Sequence, residues 1–248
     1  MPFIDPEYGY LTVINLFKTD TDAKRERLVQ EMRAIVDTAA FPGWISSTVH
    51  KGQDRLGTAN FIQWRSREDL ESRYDGNVFR HSTMPVFLEI ITSARLMQTE
   101  VAFAGRHPAL GEVTEISPDR DDYTVLEIFD AKPGDQSALV TAVSSAHEWL
   151  LDTPGYRSLS VLRGFRDRAP VGDTDGSLKV LSADDSFVVA YSQWDSKESF
   201  DTYLRQPEDQ RHAARRATEA QRDSLMVAHD WNTYRVVHTR SATQPSAA

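Results

Sequence analysis

The chain contains no cysteine among its 248 residues, and this absence excludes several kinds of chemistry at once. Without thiols there is no disulfide, no thiolate nucleophile and no metal site built on cysteine ligands. Long apolar runs are also missing, because the longest, such as "FVVAY", are much shorter than the roughly 20 residues that cross a bilayer. No charged segment followed by an apolar one opens the chain. We therefore expect a soluble, cytoplasmic protein without a membrane partner.

The sequence also lacks the short motifs of several enzyme classes. It contains no Gly-x-Gly-x-x-Gly or Walker loop for nucleotides and no Gly-x-Ser-x-Gly elbow for serine hydrolysis. Its seven histidines are scattered, without the His-x-x-x-His or His-x-Glu spacing of a metal site. Positive charge is scarce, since 28 Lys and Arg residues stand against 37 Asp and Glu residues. The net charge of −9 would repel phosphate backbones, so we expect no metal site and no nucleic-acid partner.

What the sequence does contain is an internal repeat, which determines how the rest is interpreted. Three segments recur in the same order, and the pairs are 9–17 with 122–129, 41–52 with 153–164, and 59–74 with 189–204. Pro42 matches Pro154 at an offset of 112 residues, whereas Trp64 matches Trp194 at an offset of 130. The second copy therefore carries 18 additional residues between these landmarks. They fall within 165–186, whose Gly, Pro, Asp and Ser content predicts a long surface loop.

Each copy predicts the same series of elements. In the first copy, the hydrophobic patterns predict strands and helices in this order: a strand at 11–17, a helix at 21–39, strands through 49 and at 56–66, helices from 66 and at 77–94, and a strand at 95–104. This order is that of a ferredoxin-like unit. We therefore predict an α+β protein in which two ferredoxin-like repeats form a dimeric α+β barrel within one chain. The predicted divisions are a first repeat at 1–110, a linker at 111–122, a second repeat at 123–240 and a disordered tail at 241–248.

The two copies differ at three polar positions of the predicted strands. The replacements are Asn15 by Glu127, His50 by Leu162 and Asn60 by Ala190. Strands disfavour asparagine, and an unpaired buried amide costs about 1–3 kcal/mol. Because the second copy does without these groups, the fold does not require them, and they are candidates for a functional site in the first copy. The alternative is a satisfied polar cluster that only closes the barrel.

A ferredoxin-like unit with a Pro-Gly-aromatic turn and a Trp-x-Ser strand end resembles the antibiotic biosynthesis monooxygenase family, and both copies fit in outline over about nine tenths of the chain. The resemblance implies oxidation of an anthrone-like aromatic polyketide by O2, without metal or haem. Tandem members of this size resemble most the ring-cleaving oxygenases of angucycline pathways, of the jadomycin, gilvocarcin and kinamycin types. That closer resemblance implies reduced flavin, FADH2 or FMNH2, as a diffusible co-substrate from a flavin reductase. It also allows a homodimer.

The family's catalytic pattern is a first-strand Asn, a second Asn and a Trp four positions later, and Asn15, Asn60 and Trp64 match it. A His ten residues before the second Asn also occurs in such enzymes, and His50 stands there. The resemblance implies that His50 is the base, that the two amides donate hydrogen bonds to a developing oxyanion, and that Trp64 stacks on the substrate. Since Trp194 repeats the tryptophan in the second copy, a packing role is the alternative for both rings. The family's catalytic Arg has no direct match.

Other residues are predicted to line the pocket. His81, Met84 and Leu88 share one face of the helix predicted at 77–94, and Trp44 follows the Pro-Gly turn. We assign these four residues to substrate binding, while residues for a cofactor stay unassigned. Two other functions remain open, namely a haem-degrading enzyme of the same fold with His81 as ligand, and a non-catalytic polyketide-binding protein. Arg80 and Arg95 are the candidates for the missing catalytic Arg.

Overall fold

The computed structural model of the chain describes residues 1–111, 113–171, 177–182 and 186–242. Its strands are β1 (Phe3–Ile4), β2 (Leu11–Lys18), β3 (Trp44–Gly52), β4 (Gly57–Trp64), β5 (Ser93–Arg106), β6 (Thr114–Glu115), β7 (Tyr123–Ala131), β8 (Tyr156–Pro170), β9 (Leu178–Ser182), β10 (Phe187–Trp194) and β11 (Met226–Ser241). Its α-helices are α1 (Asp22–Thr38), α2 (Arg67–Asp75), α3 (Met84–Ile90), α4 (Gln136–Leu150), α5 (Lys197–Arg205) and α6 (Ala213–Leu225). Within the described ranges, none of the helices has the length and apolar character needed to span a membrane.

Eight of the strands close into an antiparallel barrel. Their order is β10, β7, β11, β3, β4, β2, β5 and β8, and β8 pairs back onto β10. Each half of the chain supplies four strands, and the last strand of each half pairs with the other half, β5 with β8 and β11 with β3. The helices cover the outside of the barrel. The predicted fold is confirmed: two ferredoxin-like units form an α+β barrel within one chain.

The registers of the two halves correspond position by position. Asn15 on β2 lies opposite Asn60 on β4, and Glu127 on β7 lies opposite Ala190 on β10. The residues matched by sequence therefore occupy equivalent places in the sheet. Because successive side chains of a strand point to opposite faces, one set faces the inside of the barrel and the other faces the helices.

The inside of the barrel is filled with large apolar side chains. Its core members from both halves include Ile14, Phe61, Met97, Leu126, Phe187 and Tyr191. Separate apolar clusters lie under the helices of the first half and of the second half. The barrel interior is thus a packed core that joins the halves, and space for a ligand has to lie between the sheet and the helices.

The predicted helix at 77–94 differs from the observed one. The chain forms a π-helical turn at Phe79–Thr83, continues as α3 and ends at Ile90, and β5 already begins at Ser93. Pro85 stands near the start of α3, where a missing backbone N–H is tolerated. The π-turn changes which side chains face the sheet, since it adds a residue to one turn of the helix.

Three other segments also differ from their predictions. The insertion predicted as a loop instead extends β8 to Pro170 and adds β9 as a hairpin, while 172–176 and 183–185 lie outside the described residues. The predicted linker contains β6, which pairs with β1, and the fully buried Ile116. Of the predicted tail, Ser241 belongs to β11 and the Ala242 N–H donates to the Ile45 carbonyl at 2.7 Å, whereas 243–248 lie outside the described residues.

Candidate functional site

A cavity lies in the first half between the outer face of the sheet and the helices α1, α2 and α3. Its empty volume is about 690 Å³ with its opening to solvent included. Most of its wall is apolar or aromatic, and the residues of this kind include Phe17, Met32, Val36, Phe41, Trp44, Ile62, Phe79, Met84, Phe87 and Leu96. Its polar members are few, and they come from neighbouring elements.

Two asparagines form the floor of the cavity. Asn15 and Asn60 are cross-strand neighbours, and each is only 8% exposed. Neither Oδ1 atom has a hydrogen-bond partner among the described residues. A side-chain amide can turn to present either its oxygen or its N–H groups, so both residues can serve a ligand as donor or acceptor. The structure therefore brings this predicted pair together in a setting where the free protein does not satisfy it.

Trp64 ends β4, four residues after Asn60 and on the same face of the strand, and it also lines the cavity. Its ring is 3% exposed and stacks on Phe41 with 6.3 Å between ring centroids. The indole Nε1 is buried and has no acceptor in the described part of the chain. Trp44, which also lines the cavity as predicted, differs because its Nε1 donates to Ser47 Oγ at 2.8 Å. Of the two indoles, only that of Trp64 has a donor to offer to a ligand.

The Pro-Gly turn before Trp44 is fixed by its contact with α2. Gly43 has a φ of +75°, which favours glycine, and a Cβ atom there would lie 2.1 Å from Cγ of Asp69. Asp69 belongs to the first turn of α2, where its backbone N–H is capped by the Ser66 hydroxyl at 3.2 Å. The turn and the helix therefore approach too closely for any other residue at position 43.

Tyr74 on α2 reaches the cavity and was not predicted. It is 6% exposed, and burial raises the pKa of its phenol, so that the hydroxyl stays protonated. The hydroxyl lies near the Asn15 side chain, which opposes that rise in pKa, but it has no hydrogen bond of good geometry within the described ranges. Tyr74 is therefore a neutral O–H donor beside the two amides.

Arg73 is the second unpredicted residue of the cavity wall. Its guanidinium lies over the Phe41 ring at 4.4 Å and the Phe79 ring at 5.2 Å, and Nη2 donates to Thr83 Oγ1 at 3.3 Å. It forms no ion pair with any carboxylate of the described residues. Burial lowers the pKa of Arg73, yet a guanidinium remains charged at neutral pH. The cavity thus holds a positive charge without a protein counter-ion.

A signal for these two residues does exist in the repeat. At the offset of 130 that relates the tryptophans, Arg73 corresponds to Tyr203 and Tyr74 to Leu204. Both polar groups are therefore lost in the second copy, as the two amides are. Comparing only the strands of the two copies misses them, because they stand on the helix that follows.

The predicted position of His50 next to the amides is wrong. Val49 lies opposite Asn60, so His50 points to the other face of the sheet, into the barrel interior. There it is fully buried, and its Nε2 lies 2.9 Å from the Tyr191 hydroxyl of the second half. Burial lowers the pKa of His50 to about 4. A neutral imidazole on the far side of the sheet cannot act as a base in this cavity.

The predicted helix face is only partly at the cavity. Met84 lines it, whereas Leu88 packs on the surrounding apolar cluster without reaching the wall. His81 is exposed on the π-turn, so its assignment to substrate binding is wrong, and the reason is the additional residue in that turn. No histidine belongs to the cavity wall within the described ranges, so the predicted histidine ligand for haem does not reach it.

The two arginines proposed for the missing catalytic position lie elsewhere. Arg80 pairs with Asp75 at 2.6 Å on the surface. Arg95 is held by Asp167 at 2.5 Å and by Asp130 at 2.9 Å, on the strand next to the second half. Both guanidiniums are neutralised by carboxylates, unlike that of Arg73. Across the described residues, no three His, Asp or Glu side chains form a group that could hold a metal ion.

The equivalent space in the second half is lined differently. Its wall contains Glu127 and Ala190 in place of the amides, and its empty volume is about 540 Å³. The Nε1 of Trp194 donates to Ser192 Oγ at 3.2 Å, and its ring packs against Tyr203 with centroids 4.9 Å apart. The indole of the second half is thus fully satisfied by its own neighbours.

Comparison with known proteins gives the family. None of the protein-family models matches the chain, and no curated protein is significantly similar to it. Among solved structures, an anthrone oxidase-like protein is 45% identical, with a TM-score of 0.89 over 100% of both chains. A candidate monooxygenase from Lactobacillus acidophilus is 10% identical with a TM-score of 0.53, over 94% of this chain and 96% of that one. Another, from Fusobacterium nucleatum, is 8% identical with a TM-score of 0.57 over 94% of each, and these two share the fold alone.

The identity to the first of these proteins extends over the whole chain, so it covers the cavity as well as the barrel. The barrel and the helices that cover it are therefore a shared architecture. The chain belongs to the family of anthrone oxidase-like proteins and is an oxygenase with a ferredoxin-like α+β barrel fold.

Proposed function

We propose that the chain oxidises a flat, phenolic, polycyclic compound of the aromatic polyketide class with molecular oxygen, in the cavity of the first half. The observation that carries the proposal is a set of polar groups without partners in one apolar cavity. A buried group of this kind that a ligand left unpaired would cost about 1–3 kcal/mol, so the set favours a ligand that bonds to each of them. A ligand with several oxygen atoms on a flat apolar body would satisfy them all. The name of the 45% identical relative, anthrone oxidase-like, agrees with a substrate of this shape.

The proposed chemistry begins with ionisation of the substrate. Ground-state oxygen is a triplet and reacts slowly with closed-shell organic molecules, so an oxygenase without a metal needs an electron-rich anion as its partner. A phenolic anthrone supplies one when the CH2 group across the central ring from its carbonyl loses a proton to solvent water at the opening of the cavity. The unpaired charge of Arg73 favours that anion, since a cation within a few ångströms lowers the pKa of an acid by about 1–3 units.

The neutral donors then hold the charge that develops on oxygen. The amides of Asn15 and Asn60 and the Tyr74 hydroxyl are placed to donate to the enolate oxygen, while the Trp64 N–H is placed to donate to the oxygen molecule as it is reduced. Because these donors are already buried, they need little reorganisation when the charge appears. The cavity supports electrostatic stabilisation of an anion, and no step requires His50.

The proposed reaction balances without an external reductant. The anion passes one electron to O2 and the two radicals combine, which forms a carbon–oxygen bond and a peroxide. Loss of the second hydrogen from that carbon breaks the O–O bond and releases water. One CH2 group becomes C=O, one oxygen atom is retained, and the other leaves as water. The substrate therefore supplies all the electrons.

We also propose a finer reading, in which the substrate is an angucycline and the outcome is oxidative cleavage of a carbon–carbon bond. Oxygen insertion of that kind needs two further electrons, which reduced flavin from a separate reductase would provide. The need for reduced flavin distinguishes the two proposed reactions experimentally, because anthrone oxidation proceeds without flavin whereas ring cleavage requires it.

The test is oxygen uptake with 1,8-dihydroxyanthrone under ¹⁸O2, in the presence and absence of reduced FMN. One labelled oxygen in the product, in proportion to the oxygen consumed, is expected. Asn15→Ala should lower kcat/KM about 100-fold, as removal of an oxyanion donor does, and Glu127→Ala is the matched control at the equivalent position of the second half. Equal losses in both variants would refute the assignment to the first half.

Two rival functions have their own outcomes in the same experiment. Tight binding of the anthrone without oxygen uptake, with or without reduced FMN, would show a binding protein. A Soret shift on addition of ferric haem, followed by haem loss under reducing conditions, would show the haem-degrading function. Either result would replace the proposal.

A further inference from the structure

The insertion of the second half packs against the site of the first half. The part of β8 that follows Gly164 pairs with the start of β5, where Leu96 on the cavity wall lies opposite Arg168. Phe165 and Leu178, which belong to the insertion, join the apolar cluster that contains Trp64 and Tyr74. The guanidinium of Arg67, at the start of α2, lies 5.0 Å from the centre of the Phe165 ring. The insertion thus meets α2 next to the apolar cluster that borders the cavity.

One carboxylate joins α2 to this hairpin. Arg168 donates from Nη1 to Glu71 Oε2 at 2.8 Å and from Nη2 to Glu71 Oε1 at 3.0 Å. Gln98 on β5 donates to the same Oε1 at 2.9 Å, and Arg166 lies 3.6 Å from it. The Arg168 and Glu71 side chains are 13% and 29% exposed. A partly buried, two-pronged ion pair of this kind fixes direction as well as distance.

Helix α2 is also held at its start by Asp69, which pairs with Arg65 and lies against Gly43. It is nine residues long, and its only buried residues are Leu70 and Tyr74. Glu71 lies in the same helical turn as Arg73 and Tyr74. The rotation of α2 about its own axis therefore decides whether those two side chains face the cavity. The Arg168 guanidinium also lies 5.8 Å from the centre of the Tyr74 ring.

We infer that the Glu71–Arg168 pair is a positioning device, through which the insertion of the second half orients α2 and places Arg73 and Tyr74 in the first-half cavity. This inference rests on the proposed function of that cavity. It gives the second half a part in the reaction even though its own cavity has Glu127 and Ala190 in place of the two amides. The site then depends on both halves of the chain.

The experiment compares Arg168→Gln with Arg163→Gln. Arg163 also lies on β8 and pairs across to β5, with Glu100 at 3.4 Å, but its side chain is 38% exposed, against 13% for Arg168. Arg168→Gln should raise amide hydrogen exchange in α2 about 10-fold relative to α5, the equivalent helix of the second half. It should also lower kcat/KM for 1,8-dihydroxyanthrone about 10- to 100-fold, which is the usual cost of misplacing a catalytic group by about 1 Å. Arg163→Gln should change neither quantity by more than about two-fold.

Two further variants separate positioning from general stability. The charge swap Glu71→Arg with Arg168→Glu should recover much of the lost kcat/KM. Tyr74→Phe combined with Arg168→Gln should lose less than the two single changes predict together, because both act through the same hydroxyl. Unchanged exchange in α2, or equal increases in α2 and α5 with a lower melting temperature and no recovery by the swap, would overturn the inference. If the unaltered protein consumes no oxygen, the proposed function fails, and exchange in α2 still decides whether Arg168 orients that helix.

Discussion

The two repeated tryptophans provide the most direct test, because their indole N–H groups differ in hydrogen bonding. Trp64 has a buried Nε1 without a partner among the described residues, whereas Trp194 donates to Ser192 Oγ at 3.2 Å. Replacing each by phenylalanine keeps a flat apolar ring and removes the donor. Trp64→Phe should therefore affect the reaction, and Trp194→Phe should affect stability.

The loss of stability expected for Trp194→Phe can be worked out from its surroundings. The smaller ring leaves a space of about 40 Å³, and at about 24 cal/mol per Å³ this costs about 1 kcal/mol. The Ser192 hydroxyl, which is buried, loses its donor, and that costs about 1 kcal/mol more. For a chain of this size, about 2 kcal/mol corresponds to a fall in melting temperature of about 4–8 °C. Turnover should stay within about two-fold.

Trp64→Phe should leave the stability nearly unchanged. Its smaller ring loses contacts with Phe41, but removal of an unsatisfied buried donor relieves about 1–3 kcal/mol, and the two effects oppose each other. The reaction loses a hydrogen bond to a charged oxygen, which is a contribution of about 1.5–3 kcal/mol. We therefore expect kcat/KM to fall about 10- to 100-fold with little change in melting temperature.

The assay is oxygen uptake with 1,8-dihydroxyanthrone, together with thermal unfolding followed by circular dichroism, for both variants. The proposal requires that Trp64→Phe loses activity and keeps its melting temperature, and that Trp194→Phe keeps activity and has a lower melting temperature. If Trp64→Phe keeps full turnover, the ring has no part in the mechanism. A large fall in its melting temperature would show that the N–H has a partner in the folded protein.

Three further predictions concern charge, pH and bound groups. Arg73→Gln should lower kcat/KM at least 10-fold. Arg80→Gln, which loses the exposed pair with Asp75 and a 3.4 Å hydrogen bond to the Tyr74 carbonyl, should not, and equal effects in steady-state kinetics would remove Arg73 from the site. The pKa of His50 is about 4 in the folded protein and 6.5 in the unfolded chain, so the unfolded chain takes up a proton first as the pH falls. About 3 kcal/mol of the free energy of unfolding, present above pH 6.5, should therefore be lost between pH 6.5 and about pH 4. The double variant His50→Leu with Tyr191→Phe should lose less in urea unfolding over that range, and an identical loss would contradict the burial of a neutral His50. The purified protein should also be colourless, and an absorption spectrum with metal analysis that shows one chromophore or metal per chain would contradict the proposal.

Much of the fold could be predicted from the repeat alone. The landmarks that match at offsets of 112 and 130 residues also match in the sheet, since Asn15 opposes Asn60 as Glu127 opposes Ala190. Asn15, Asn60 and Trp64 come together because they lie on adjacent strands and on one face. Differences between two copies of one fold were the useful signal, because whatever the fold needs must be present in both.

The position of His50 could not be predicted from spacing. Which face it takes depends on the register of β3 against β4, and a shift of one residue would place it with the amides. That register is set by the turn at 53–56, whose conformation the sequence does not determine by any simple pattern. The same kind of limit applies to His81, because one π-turn moved it away from the face predicted for a regular α-helix.

The insertion forms strands instead of the predicted loop for a different reason. Its Gly, Pro and Asp content is typical of a loop, but Phe165 and Asp167 are held by contacts with the first half, which a local pattern cannot show. The buried Asp167 illustrates this dependence: burial raises the pKa of its carboxyl, and the nearby charge of Arg95 opposes that rise. Such a residue is stable in a strand only when its partner from β5 is present.

The two halves of the chain therefore differ in chemistry while they share one barrel. The first half keeps the Oδ1 atoms of Asn15 and Asn60 and the Nε1 of Trp64 without partners among the described residues. The second half has Glu127, Ala190 and a Trp194 indole bound to Ser192 at the same positions. Strands β5 and β11 each pair with a strand of the other half, so each half completes the barrel of the other. Joining both copies in one chain lets one of them lose its site and support the other, which two identical subunits could not do.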